Sequence, residues 1–312
     1  MKTRSTEANQ FLRRVKCPGG QNHLLPRRFS PAGITLFVVL VGCLALTPVL
    51  SRAGNLAGWQ DRMQIITPKS YLCRHVSTPV EIDGKLDDAG WSNAPWTDAF
   101  VDIQGDAKSK PRFRTRARML WDDHYLYLAA ELEEPDVWAT LTNHDSVIFQ
   151  DPDFEVFINP NGETQPYYEF EMNALNTTWD LRLNKPYMDQ GKPDNAWEIP
   201  GAKTAVHVNG TLNHPGDTDQ GWTVEMAFPW EALSQDARHA GPPADGEQWR
   251  INFSRVEWRI TTTNGVCQKV PGVPEDNWVW SPQGVVDMHR PEMWGVVQFS
   301  TAPVTKMIPI AN

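Results

Sequence analysis

The sequence lacks the short motifs that mark several common enzyme classes. It has no G-x-S-x-G nucleophile elbow, no H-E-x-x-H zinc helix, no P-loop and no G-x-G-x-x-G dinucleotide turn. Each of these motifs holds a nucleophile, a metal or a phosphate at a fixed point of a particular fold. The eight histidines are also scattered without the spacing of metal ligands. No catalytic machinery of these types is therefore expected.

Cysteine is scarce, with four in 312 residues. Cys17 and Cys43 precede the main domain, which leaves Cys73 and Cys267. No C-x-x-C or C-x-x-C-H pair is present, so these cysteines offer neither a zinc ribbon nor a haem attachment site. An even pair in an oxidising compartment predicts a disulfide between Cys73 and Cys267, and two buried free thiols are the alternative.

Positive charge is scarce after the first 53 residues. Eight of the 29 basic residues and one of the 38 acidic residues lie in 1–53, which leaves 21 basic and 37 acidic residues in the remainder. Such an acidic surface repels phosphate backbones, so no nucleic-acid partner is expected. All fourteen tryptophans lie in this acidic part. A neutral polar ligand or bound cations suit it better, although the acids can also serve solubility alone.

An uncharged apolar run occupies residues 34–50, directly downstream of a basic segment. This order is typical of a secretory signal, so residues 1–53 are predicted to be a signal peptide or a membrane-anchoring leader. Cleavage after Ala53, lipidation of Cys43 and an uncleaved anchor are the alternatives. Each of them exports the remainder, to the periplasm, the cell envelope or the outside of the cell. The membrane would be contacted only through this leader or its lipid.

The rest of the chain is predicted to hold a linker at 54–70, one domain at 71–300 and a tail at 301–312. Strands are indicated where apolar and polar residues alternate, because this period puts each set on its own side of a sheet. A helical turn is expected at 229–233. The predicted strands are at 80–82, 115–121, 125–132, 154–158, 168–173, 222–228, 249–258 and 295–299.

No segment has a long helical period, and strands do not alternate with helices. The fold class predicted from this pattern is all-β, an antiparallel β-sandwich of the immunoglobulin or jelly-roll kind with two packed sheets. The 25 prolines suit long loops on a rigid sheet scaffold. Little helix is expected.

Several ordered motifs support a family resemblance. They are IDGKLDDAGW at 82–91, ARMLWDDHYLYL at 117–128, DFEVFINP at 153–160, YYEFEMN at 167–173, GWTVEMAFPW at 221–230, WSP at 280–282 and WG at 294–295. Together they resemble the family 9 carbohydrate-binding modules. This resemblance implies a β-sandwich that binds sugar, is often attached to or partnered with glycoside hydrolases, and sometimes holds structural calcium.

The resemblance also implies particular contact residues. Glu155 and Asn173 match family positions that hydrogen-bond sugar hydroxyls, and Glu171 lies beside Asn173 where well-known members have a basic residue. The two tryptophans that clamp the sugar in the family fall here near Phe149 or Gln150 and near Met288, so the sugar site is expected to be rebuilt or lost.

Further candidates come from the residues themselves. Trp138, Trp179 and Trp280 lie near loops, and an aromatic ring there could stack on a sugar ring. Asp151 and Asp153 form a carboxylate pair that could bind calcium, with solvated turn acids as the alternative. No cofactor is otherwise required.

Three functions remain open from the sequence. The first is an exported, non-catalytic carbohydrate-binding protein that assists glycoside hydrolases and binds an oligosaccharide or polysaccharide. The second is a glycoside hydrolase or lyase that uses paired carboxylates such as Glu155 and Glu171 to cleave O-glycosyl bonds. The third is a haem-binding redox domain of a related sandwich fold, with Met288 and His289 as candidate ligands.

Overall fold

A computed structural model of the chain describes residues 66–302. The predicted leader at 1–53, with Cys17 and Cys43, lies outside the described residues, as do most of the linker at 54–70 and of the tail at 301–312. In the part of the chain that is described, no helix has the length and apolar character needed to cross a membrane.

The described chain is built almost entirely of β-strands, which confirms the all-β class. One short α-helix, α1 at Trp230–Leu233, forms where a helical turn was predicted. The strands are β1 Ser70–His75, β2 Val101–Asp102, β3 Thr115–Trp121, β4 Tyr125–Glu133, β5 Asp153–Asn159, β6 Tyr167–Asn173, β7 Thr178–Leu183, β8 Pro193–Asp194, β9 Lys203–Asn209, β10 Gly221–Pro229, β11 Gln248–Glu257, β12 Ile260–Thr263, β13 Val266–Lys269, β14 Asp276–Val279 and β15 Gly295–Ser300.

The strands follow one hydrogen-bonded path in the order β8-β7-β6-β5-β11-β15-β1-β3-β4-β10-β9. β14 pairs with β11 and β2, while β12 and β13 form a separate hairpin. Most pairs are antiparallel, but β1 runs parallel to both β15 and β3. The prediction of purely antiparallel strands is therefore wrong at β1. A parallel pair needs a long connection, and β1 has one to each of its partners.

The path curls so that its two halves pack against a shared core. Phe170 on β6 lies 5.0 Å from Phe228 on β10, ring centre to ring centre, although six strands separate these elements in the path. Residues of β3, β4 and β10 join those of β5, β6 and β11 in one buried apolar cluster. The curl therefore brings the inward faces of both halves together.

The segment 76–94 covers the outward face of β3, β4 and β10. Trp91 is fully buried there, and its Nε1 donates to Glu225 Oε1 at 2.6 Å. The backbone amides of Asp83 and Gly84 donate to Glu225 Oε2 at 3.0 and 2.9 Å. The strand predicted at 80–82 does not form. Instead, the turn that follows it is anchored to a side chain of β10.

The predicted disulfide between Cys73 and Cys267 is not formed, because both residues are free cysteines. Cys73 is fully buried in the core on β1. Cys267 lies on β13, which pairs only with β12 and not with the main sheet. The hairpin thus has no strand partner that would hold Cys267 beside β1.

Close packing at the start of β15 gives a test of the core. A Cβ atom added at Gly295 would overlap the buried Trp280 ring. We expect Gly295→Ala to lower the free energy of unfolding by roughly 1–3 kcal/mol, as for other overpacked cores. Urea denaturation, monitored by tryptophan fluorescence, measures this change in the free energy of unfolding.

Gly90→Ala is the matched control. Gly90 has right-handed helical backbone angles, and a Cβ there would meet its nearest neighbours at an ordinary 3.5 Å. Its unfolding free energy should stay within about 0.5 kcal/mol of the unmodified chain. An equal loss in both variants would show that overlap with Trp280 is not the cause.

Candidate functional site

The outward face of β5, β6, β7 and β11 carries a row of polar residues. The apolar residues of β5 and β6 alternate with this row and belong to the core. In the pairing register, Glu155 lies opposite Glu171 on one side and Ser254 on the other, and Glu171 lies opposite Trp179. Residues directly opposite each other share one face of a sheet. The sequence thus brings these four side chains into one line across the sheet.

Four carboxylates on this face are buried: Asp153, Glu155, Glu169 and Glu171 are each at most 6% exposed. Burial raises the pKa of all four groups, that of Glu155 to about 7. Repulsion from neighbouring carboxylates adds to the increase for the other three. At neutral pH these groups therefore keep protons or need a positive counter-charge.

One edge of the face is formed by Phe149 and Trp258. The Phe149 amide donates to Glu171 Oε2 at 3.0 Å, and its carbonyl accepts from Trp258 Nε1 at 3.1 Å. Lys269 Nζ lies 3.4 Å from the centre of the Trp258 ring and 3.3 Å from Gln150 Oε1. Both aromatic rings are partly exposed. This edge thus presents aromatic surface next to a carboxylate and an ammonium group.

The other edge is formed by Trp179 and Tyr187. Trp179 is partly buried against the apolar cluster that contains Tyr167 and Trp294. Tyr187 is 42% exposed and its ring centre lies 4.5 Å from that of His289. Burial, followed by the charges of Glu169 and Glu171, raises the pKa of Tyr187. His289 in turn contacts Phe157, which lies opposite Glu169, so the exposed Tyr187 ring lies at this edge of the polar face.

Asn173 and Asp151 do not have the roles that the sequence suggested. Asn173 Oδ1 accepts from the amides of Leu175 and Thr177, while Nδ2 donates to Leu141 O and Asp151 Oδ2. Its two donors and two acceptor positions are all used. No capacity is left for a sugar hydroxyl, so Asn173 holds loops instead.

Asp151 holds the chain at residues 140 and 141. Its Oδ2 accepts from the amides of Thr140 and Leu141 at 2.7 and 2.8 Å, and its Oδ1 accepts from the Thr140 hydroxyl. It is 1% exposed. Asp151 thus serves to hold this loop, and Asp153 clusters with Glu155 and Glu171 instead of with Asp151.

Two of the three tryptophans proposed from the sequence are buried. Trp280 packs in the core, 5.9 Å from Phe253 and edge-on to Tyr71. Trp138 is 5% exposed. Neither ring presents a face for a ligand, which corrects the expectation for both. Trp179 is the one that lies on the polar face.

Several residues of this face were not predicted. For Glu169, alternation along the strand predicts the same face as Glu171, but no contact with a ligand was proposed for it. Tyr187 lies in a short turn, Tyr187–Asp189, that no pattern marked. Trp258, Lys269 and His289 come from distant segments, and only the folded chain brings them here.

Two other features offer chemistry elsewhere. His144, Asp145, Asp180 and Glu198 form a mostly exposed group in which His144 Nε2 lies 3.0 Å from Glu198. A groove of about 920 Å³ lies beside β4 and β10 and includes Trp96. The guanidinium groups of Arg116 and Arg118 each lie 4.2 Å from the centre of the Trp96 ring.

Comparison with known proteins gives one family. Residues 82–255, more than half of the chain, match the family model described as carbohydrate family 9 binding domain-like. An endo-1,4-beta-xylanase A of Thermoanaerobacterium saccharolyticum is 28% identical over 157 residues, which are 50% of this chain and 11% of the xylanase. An exoglucanase of Acetivibrio thermocellus is 27% identical over 159 residues, 50% of this chain and 12% of the exoglucanase. The chain thus spans only about a tenth of these relatives.

Solved structures agree in fold. A family 9 carbohydrate-binding module of Caldicellulosiruptor kristjanssonii, solved with cellotriose, has a TM-score of 0.50 and 17% identity, covering 78% of this chain and 100% of the module. A candidate carbohydrate-binding protein of Bacteroides uniformis has a TM-score of 0.55 and 19% identity, covering 75% and 100%. At these identities the likeness is one of fold.

His289, at the edge of the polar face formed by Trp179 and Tyr187, predicts that the stability of the fold depends on pH. His289 lies beside Phe157 and Tyr167, with Nδ1 3.0 Å from the Tyr167 hydroxyl, and burial lowers its pKa to about 4. The unfolded chain binds this proton near pH 6.5, so His289 costs stability as the pH falls from there toward 4. In His289→Gln this loss disappears. Relative to the unmodified chain, the variant should gain about 1–2 kcal/mol of unfolding free energy between pH 7.5 and pH 5.

His144→Gln provides a contrast of opposite sign. Burial acts to lower the pKa of His144, but the hydrogen bond to Glu198 and the negative charges of Asp145, Glu198 and Asp180 together outweigh it, so the pKa is raised. His144 therefore stabilises the fold more as the pH falls, and its variant should lose stability over the same interval. Urea denaturation at pH 7.5 and pH 5 measures the unfolding free energy of both variants. If this free energy, relative to the unmodified chain, changed with the same sign in His289→Gln and His144→Gln, the opposite pKa shifts of the two histidines would be contradicted.

Proposed function

Because the chain belongs to the carbohydrate family 9 binding domain-like family, we propose that it is a non-catalytic carbohydrate-binding protein. We propose further that the ligand binds at the polar face of β5, β6 and β7. The observation that carries this location is the partly exposed Trp179 ring opposite Glu171, together with the exposed Tyr187 ring, which packs 4.5 Å from His289 at the same edge of the face.

The chemistry of a sugar suits this arrangement. The C–H face of a sugar ring packs against an aromatic plate, and its hydroxyl groups need hydrogen-bond partners at the rim. Trp179 and Tyr187 supply aromatic surface on one edge, and Phe149 supplies it on the other. Glu155 and Glu171 supply carboxyl groups between them. Phe149, Trp179, Glu155 and Glu171 thus remain the contact residues proposed from the sequence, with Tyr187 added.

The known relatives support an accessory role. The Caldicellulosiruptor module was solved with cellotriose and with glucose. The xylanase and the exoglucanase match this chain over only 11% and 12% of their lengths. A shared segment of that size supports binding of a plant-type polysaccharide beside a hydrolase. Such polymers lie outside the cell, which agrees with the export expected from residues 1–53.

Binding is tested on oligosaccharides derived from cellulose and xylan, by isothermal titration calorimetry. We expect saturable binding, which Trp179→Ala and Tyr187→Ala each weaken roughly tenfold or more, because loss of an anchoring aromatic contact costs over about 1 kcal/mol.

Trp96→Ala is the matched control, since Trp96 is also partly exposed but lines the separate groove beside β4 and β10. It should leave the affinity unchanged. Loss of binding in Trp96→Ala alone would move the site to that groove. No binding to any glycan of a broad panel would overturn the proposed function.

The paired carboxylates favour a second candidate, hydrolysis of O-glycosyl bonds. Glu155 and Glu171 lie opposite each other on adjacent strands, and burial raises the pKa of both, as a general acid requires. Reducing-sugar release by the unmodified chain that disappears in both Glu155→Gln and Glu171→Gln would support hydrolysis. Saturable binding with no release supports the binding function alone.

A further inference from the structure

Three carboxylates of the polar face converge on one point. Asp153 and Glu155 come from β5, and Glu171 comes from β6. One oxygen atom of each side chain can be chosen so that all three lie within 4.8 Å of one another. All three side chains are buried, Asp153 completely.

In the described part of the chain, no positive side chain pairs with these carboxylates. Among residues 66–302, the buried carboxylates Glu134 and Glu257 pair with Arg255 at 2.6 and 2.7 Å, but none of the three forms an ion pair. Lys269 is nearby, yet its ammonium group lies over the Trp258 ring and beside Gln150. Several like charges in a medium of low dielectric constant repel strongly.

Two buried polar atoms at this point lack a well-formed hydrogen bond. Asp153 Oδ1 accepts from the Val256 amide at 3.0 Å, but Oδ2 has no partner. Ser254 Oγ is fully buried and also makes no well-formed hydrogen bond, although its hydroxyl lies close enough to Glu155 to lower the pKa of that carboxyl. Since Ser254 lies directly opposite Glu155 on β11, its side chain is on the same face as the carboxylates. Unpartnered buried polar atoms are rare, and a bound ion is one recognised explanation.

We propose that Asp153, Glu155 and Glu171 bind a divalent cation of the calcium type, with the Ser254 hydroxyl as a neutral oxygen donor. The donor set consists of oxygen alone, which selects hard cations. Calcium binds oxygen ligands at about 2.3–2.6 Å, so two ligands on opposite sides of the ion lie about 5 Å apart. The three carboxylate oxygens lie within 4.8 Å of one another, which agrees with this spacing. The exposed group around His144 differs, because its histidine is already paired with Glu198.

The probe is Tb³⁺, which binds in place of Ca²⁺ and emits light when a nearby indole transfers energy to it. Trp179 lies opposite Glu171 and serves as this indole. We expect saturable Tb³⁺ emission that excess Ca²⁺ displaces. Glu155→Gln and Glu171→Gln should each lower the affinity roughly tenfold or more, since even loss of a supporting group costs metal affinity that much. Ser254→Ala should lower it by a smaller factor.

Glu198→Gln is the matched control, because it removes one carboxylate from the other acidic group and should leave the affinity unchanged. Far-UV circular dichroism checks the fold of each variant, and glutamine at 171 keeps an acceptor for the Phe149 amide. The unmodified chain gives an independent reading. Its unfolding temperature should be higher in excess Ca²⁺ than in chelator, because a ligand of the native state stabilises it.

Emission that survives in both Glu155→Gln and Glu171→Gln, or that disappears in Glu198→Gln instead, would overturn the proposal. Absence of both emission and a calcium-dependent rise in unfolding temperature would overturn it as well. These measurements contain no glycan, so their failure leaves the carbohydrate-binding function untouched, and failure of the glycan titrations leaves the cation site untouched.

Discussion

The aromatic core on the inner side of β5 and β6 is the constraint on which the polar face depends. Phe154, Val156 and Phe170 are buried in the shared core, and they alternate with Glu155, Glu169 and Glu171 along the same strands. A shift of either strand by one residue would turn the carboxylates into the core and the aromatic rings outward. Such a shift would expose Phe154 and Phe170 and lose the free energy of their burial, so the register is strongly fixed. The same constraint that makes the core also aligns the acids.

Much of the fold follows from this alternation, and so the sequence predicts it well. The strands β3, β5 and β10 occur where alternation placed them, within a residue at either end. The parallel pairing of β1 could not be predicted, because its partners are far away in the chain and no local pattern encodes them. The short strands β2 and β8, of two residues each, exist only through their partners.

The site was predictable to a smaller extent. Strand phase brings Glu155, Glu171 and Trp179 onto one face, because phase is a local property of a strand. Strand phase does not show whether a polar residue on that face already forms hydrogen bonds within the protein. The side chains of Asn173 and Asp151 form hydrogen bonds with backbone amides and carbonyls of loops, and these contacts depend on how the loops fold back.

The position of β1 has a consequence for how the domain forms. In the described strand order β1 links the half that contains β3 to the half that contains β15. β1 is synthesised first among these strands and β15 last, so the sheet cannot close until nearly the whole domain has left the ribosome. Pairing between such distant segments is slow. A domain with this connectivity stays incompletely folded until its last strand locks the two halves together.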